Sequence, residues 1–261
     1  MGLTPAANAD LPSFPMSVAQ FLRHADVFLQ RSDIVLSRSD TVSSWLIRFA
    51  TGGFFSHAAL VFLVPKPEDG YYNTFLLESV SSGVGLANLR DYLDRRHGRN
   101  DLVIRRLTAP WFDDKMQTQV RGLMLDHVKA SYDYGSVFRL ALSMLFGIQL
   151  GWSRMAKGGG KSMADAVKKT HSRRARWVPP QFICSGFVQY GFVRAAMRAR
   201  KSVRQVLFRD DLDPRDLSGI LATTPEDIAT TSKLDWLYVI TRGKVHHVSG
   251  YDEAKRLIAG K

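Results

Sequence analysis

The chain carries a single cysteine, Cys184, in 261 residues. One cysteine excludes an intramolecular disulfide and any multi-cysteine metal site. Pro179-Pro180 bring the chain toward it in an extended form. Beyond it, Phe187, Val188, Gly191, Phe192 and Ala195 recur at helical spacing on the stripe that includes Cys184. The cysteine therefore opens a helix, at the positive end of the helix dipole, where the nucleophilic thiolate is favoured over the thiol. A lone cysteine is most often a small buried hydrophobe. It becomes a nucleophile only with a base beside it and a third group to orient that base.

Two neighbouring strands supply both. Phe54 to Val64 is apolar on both faces except at His57, and Asn73 to Val80 puts Thr74, Leu76 and Glu78 on one face. The breaker-rich turn from Pro65 to Gly70 makes them an antiparallel pair, with His57 and Glu78 at the same end. An unpaired buried carboxylate is costly, so mutual pairing is the expected resolution. Thiol, imidazole and carboxylate together form the set needed to attack an amide, ester or thioester carbonyl. The other histidines have weaker claims. His24, His97 and His127 fall on polar helix faces or turns, His171 lies in a basic loop, and His246-His247 trail the last strand.

The remaining elements must hold these three. A helix over 17–30 precedes a buried strand at Asp33–Ser37. Ser39 or Asp40 then caps a helix with apolar positions Val42, Trp45, Leu46 and Phe49, stopped by Gly52-Gly53. Residues 81–85 read as a loop, 89–95 as a short helix, and 102–107 as a strand with Arg105 and Arg106 exposed. An amphipathic helix at 113–130 leads to a turn at 131–135. Leu140 to Trp152 is too short to span a bilayer and reads as a core helix or an interfacial lid. Residues 157–176 are glycine-rich and poor in apolar residues. Gly160-Lys161-Ser162 is not a phosphate loop, because Met155 stands where that motif needs glycine. Thr224-Pro225-Glu226-Asp227 carries a helix-start signature ahead of a closing strand, Asp235 to Thr241.

The net charge of +12 is concentrated: residues 154–209 hold fourteen Lys/Arg and one acid, Asp165. That surplus flanks Cys184 and implies an anionic partner: a phospholipid surface, an acidic substrate or nucleic acid. The basic residues lack regularly interleaved aromatics, which argues against specific nucleic-acid binding. Met1 to Pro15 has no signal-peptide pattern, and no apolar run is long enough to cross a bilayer. The expected place is the cytoplasm, with peripheral contact on an anionic membrane.

Several segments resemble the NlpC-type papain-like cysteine hydrolases. Tyr132-Asp133-Tyr134-Gly135 and Cys184-Ser185-Gly186-Phe187-Val188 are similar to that family's Tyr-x-Trp-Gly and Asp-Cys-Ser-Gly-Leu-Val. Ser32-Asp33-Ile34-Val35 and Ser56-His57-Ala58-Ala59-Leu60 resemble its Gly-Asp-Leu-Val and His-Val-Gly-Ile strands. Here the cysteine comes last. That order resembles the circularly permuted YiiX/YaeF-like amidase branch, with lecithin:retinol acyltransferases as distant relatives.

The resemblance implies an α+β protein of permuted papain-like fold, with a small, mostly antiparallel sheet and helices packed on it. An arm and helix (1–30) would precede the hydrolase domain (31–245), with a basic insertion at about 136–181 and a tail at 246–261. Cys184 would be the nucleophile, His57 the base and then acid, Glu78 the orienter, and Tyr132 a neighbour of the oxyanion. No cofactor or metal is implied. The substrate would be a small amide- or acyl-containing molecule, anionic or lipid-like. The rival readings are a lipid acyltransferase using the same pair, and a non-catalytic basic module that binds membrane or nucleic acid.

Overall fold

The structure, a computed structural model, describes residues 13–80, 83–94, 100–127, 131–132, 181–182 and 184–260. In chain order the strands are β1 (Met16–Ser17), β2 (Ile34–Ser39), β3 (His57–Leu63), β4 (Phe75–Val80), β5 (Gly83–Asn88) and β6 (Asn100–Arg106). They continue with β7 (Ser131–Tyr132), β8 (Gln181–Phe182), β9 (Asp235–Thr241) and β10 (Lys244–His247). The helices are α1 (Val18–Arg23), α2 (Ala25–Phe28), α3 (Val42–Thr51), α4 (Leu89–Leu93) and α5 (Asp114–Leu125). After them come α6 (Cys184–Arg198), α7 (Leu217–Leu221), α8 (Pro225–Thr230) and α9 (Tyr251–Ala259).

Eight strands form one antiparallel sheet in the order β1-β10-β9-β6-β2-β3-β4-β5, so the fold is α+β and the sheet is larger than expected. β7 and β8 pair in parallel as a separate short ladder. The expected loop at 81–85 proves instead to lead into β5, which extends the sheet by pairing with β4. The strands alternate between two cores, as a pleat with period two requires. Ile34, Leu36, Ala58, Leu60, Leu77, Val103 and Val239 face one side, packed against α5 through α9. Val35, Ala59, Val61, Leu76, Leu102, Ile104 and Ile240 face the other, covered by Phe21, Ala25, Phe28 and Leu89 of α1, α2 and α4. The sheet is thus the middle of three layers.

The helix at 113–130 runs over Asp114–Leu125, with Asp113 as its cap. It lies close enough to α6 that a Cβ on Gly191 would sit 2.6 Å from Met124. Glycine is needed there for that approach. The single helix expected over 17–30 is split into α1 and α2 at His24. The cap of α3 is Thr41, which accepts from the Ser44 N–H at 3.3 Å, rather than Ser39 or Asp40. The capping box at Thr224 is present, with Pro225 opening α8. Residues 246–261, expected to form a tail, contain the end of β10 and α9, whose Ala254 and Ile258 enter the core.

Of two arginines expected on the surface, Arg105 is buried and Arg106 half-buried. A strand that alternates toward solvent would expose Arg105, but it is 1% exposed. Its guanidinium donates to the carbonyls of Ile228, Ala229 (2.7 Å), Thr231 (3.0 Å) and Leu234, at the carboxyl end of α8. That end carries unpaired carbonyls and the negative pole of the helix, so it suits a cation. Arg106 pairs with buried Asp33 at 2.7 Å and 2.8 Å. The stretch Leu140 to Trp152, the glycine-rich loop and the Asp133-Tyr134-Gly135 part of the turn lie outside the described residues.

Candidate active site

Cys184 is the first residue of the fifteen-residue helix α6 and is 4% exposed. Buried polar contacts fix this helix. Ser185 donates to the Thr223 carbonyl at 2.6 Å, and the Gln189 amide donates to Val206 O at 2.7 Å while accepting from the Phe208 N–H at 2.8 Å. A side-chain amide satisfied at both ends leaves little freedom for the helix to slide.

His57 opens β3, and its approach is equally constrained. Phe54 donates its N–H to Glu226 Oε2 at 2.7 Å. The Ser56 N–H and hydroxyl both reach the Ser37 carbonyl, at 2.9 Å and 3.2 Å. The Ser44 hydroxyl closes on that of Ser56 at 2.6 Å.

The register between β3 and β4 pairs Ala59 with Glu78. This places the carboxylate one diagonal step from His57 on the same face, within reach of long side chains. The resulting contact is His57 Nε2 to Glu78 Oε2 at 2.7 Å. A carboxylate can only accept, so Nε2 carries the proton and Nδ1 is left for the sulfur. The Cys184 thiol hydrogen-bonds the same imidazole, and the backbone N–H groups of Ala58 and Ser185 also point at the sulfur.

Three of the four candidates therefore meet. Glu78 comes from the face covered by α1, α2 and α4, whereas Cys184 comes from the helical layer opposite. They join at the amino end of β3.

Burial of the imidazole opposes its charge, but the negative charge and hydrogen bond of Cys184, followed by those of Glu78, raise His57 to about 10. Burial likewise raises the thiol, yet the imidazolium and the two N–H groups bring Cys184 below its ordinary range. Glu78 is pushed up by burial and drawn further down by His57 and then Tyr92. All three shifts favour the charged forms: a thiolate, an imidazolium and a carboxylate in one row.

Tyr92 was not expected. It sits in α4, donates its hydroxyl proton to Glu78 Oε2, and lies nearly parallel to the His57 ring with centroids 6.3 Å apart. Burial, then the Glu78 charge, pushes its phenol well above the ordinary tyrosine range, so it remains a donor. The only sequence signal was its position three residues into a helix capped by Asn88. Tyr132 belongs to β7, whose backbone pairs Tyr132 with Phe182, two residues before Cys184; its side chain lies outside the described residues. His127 rests edge-on against Tyr190 and His247 against Tyr238.

Among the described residues, no group of three or more His, Cys, Asp or Glu side chains is placed to hold a metal ion. No helix among them is long and apolar enough to cross a membrane. No family model matches the chain, and no curated protein matches it. Among solved structures, it is similar to one described as the metalloprotein yiiX from Escherichia coli O157:H7. The two are 13% identical with a TM-score of 0.47, covering 80% of this chain and 97% of that one.

Proposed function

We propose that this protein is a cysteine hydrolase that cleaves an amide, ester or thioester through an acyl-enzyme on Cys184. The supporting observation is the continuous hydrogen-bonded row from Cys184 through His57 to Glu78. The thiolate attacks the substrate carbonyl carbon, forming a C–S bond and an oxyanion. N–H groups of the first turn of α6, which have no intrahelical partners, are suited to bind that oxygen. Tyr132 is assigned beside it. As the tetrahedral species collapses, the His57 imidazolium gives its proton to the departing amine, alcohol or thiol. The neutral imidazole then takes a proton from water, which attacks the thioester carbonyl and releases the acid. Thiolate and imidazolium are restored. Glu78 keeps the ring oriented and stabilises its positive charge throughout, as the third member does in such triads.

In this reading the chain has the permuted papain-like arrangement, with the nucleophile after the base, and acts on a small acyl-containing substrate. The test is turnover of short-chain p-nitrophenyl esters and aryl amides by wild type and by Cys184→Ala. Loss of turnover in the variant with the fold intact is expected. Unchanged turnover would remove Cys184 from the reaction.

A further inference from the structure

Helix α3 is built inside out. Its buried side chain is polar: Ser44 is 5% exposed and bonded to Ser56, and Arg48 donates to the Ser39 carbonyl at 2.7 Å. Its apolar stripe points to solvent, with Val42 75%, Trp45 54%, Leu46 38% and Phe49 46% exposed. These four fall at i, i+3, i+4 and i+7, one continuous helix face. The Trp45 and Phe49 rings stack on each other at 5.4 Å. Water is a poor neighbour for such a stripe, and contiguous exposed apolar surface marks a contact site.

The flank of this face is cationic. Arg38 lies over the Phe54 ring at 4.2 Å and Lys255 over the same ring at 5.3 Å, just beyond the carboxyl end of α3. Of the acids nearby, Asp40 faces Arg48, and Glu226 is engaged by the Phe54 N–H and the Tyr251 hydroxyl. A short helix with an aromatic and aliphatic face beside basic side chains has the chemistry of an element lying in a lipid headgroup boundary. Four side chains cover far less than the roughly 800 Å² per partner of a stable protein interface.

We propose that α3 docks this protein on an anionic phospholipid surface, with Val42, Trp45, Leu46 and Phe49 entering the acyl boundary and Arg38 and Lys255 facing the headgroups. Only Gly52 to Ser56 separate α3 from His57, so docking brings the His57 end of β3 close to the membrane surface. The docking does not depend on the chemistry assigned to Cys184.

The experiment is co-sedimentation of the full chain with phosphatidylcholine vesicles, with and without phosphatidylglycerol. Wild type and Cys184→Ala should pellet with the anionic vesicles and stay in solution with the neutral ones. Trp45→Ser with Phe49→Ser, both exposed, should weaken the anionic binding by about tenfold or more, since each ring withdrawn from water contributes a factor of that order. Hydrolysis of a soluble short-chain ester should be unchanged in the double variant, and its loss in Cys184→Ala alone would leave the docking untouched. Wild-type affinity in the double variant would overturn the proposal, as would binding to both vesicles alike. So would a solution dimer that the same two substitutions dissociate, which would assign the face to a second copy of the chain.

Discussion

The Tyr92 hydroxyl donates to Glu78 Oε2, the same oxygen that accepts the proton of His57 Nε2. One carboxylate oxygen thus fixes both the imidazole and the phenol stacked beside it. Tyr92→Phe keeps the ring and removes the donor, so the carboxylate holds the imidazolium more tightly but less exactly. A drop in kcat of about tenfold with little change in KM is expected, of the size usual for a lost positioning contact. The alkaline limb of the rate profile should shift upward, a change that general loss of structure would not produce.

Glu78→Gln keeps the shape but removes the charge that stabilises the imidazolium. A fall of about 10²-fold or more in kcat/KM is expected, since the wrong tautomer and an uncompensated cation both penalise the ring. Activity at the wild-type level would show that Glu78 is structural.

Acid–base linkage at Cys184 and His57 sets the pH dependence of stability. Unfolded, histidine titrates near ~6.5 and cysteine near ~8.5. Folded, the thiol ionises below its ordinary range and the imidazole holds its proton up to about 10. Once the folded thiol has ionised, and between ~6.5 and ~8.5, both states carry one proton on the pair, so this pair makes no slope there. From ~8.5 to about 10 the folded chain retains a proton that the unfolded chain has lost, and stability falls with rising pH by about 1–2 kcal/mol. Urea unfolding across pH should show this plateau, and Cys184→Ala should lose most of the alkaline decline. The same decline in the variant would count against the ion pair.

Arg105 satisfies four carbonyls around the end of α8, and burial lowers it only to about 10, so it remains charged at neutral pH. Arg105→Leu leaves those acceptors without their donor and should cost about 3–5 kcal/mol in urea unfolding. A loss below about 1 kcal/mol would show that water replaces the guanidinium.

What the sequence made legible follows local rules. Cys184 heading an apolar helix, the cap at Thr224 and the β3–β4 pair can each be read within one or two dozen residues, because helix periodicity, caps and strand alternation are local. The pairing of His57 with Glu78 followed from that antiparallel geometry and the cost of a lone buried charge. Arg105 was misread because its acceptors lie more than 120 residues further along the chain. Tyr92 carried no local mark, since its partner is fixed by sheet register and by the seating of α4. The apolar stripe of α3 was visible, but its outward direction was not: that depends on Ser44 and Arg48 finding Ser56 and Ser39 on the protein side. β5 escaped notice because Gly83 and Gly85 read as turn residues, although both pair with β4.

The most direct test of the account is the pH dependence of Cys184 alkylation by iodoacetamide, followed by mass spectrometry on the modified peptide. Because the thiol is buried, the decisive quantity is the shape of the profile rather than its absolute rate. The account predicts a profile whose midpoint lies below the ordinary cysteine range of ~8.5. It also predicts that His57→Ala moves the midpoint up to that range or beyond. A wild-type profile that rises only near ~8.5 and is unmoved by His57→Ala would contradict it.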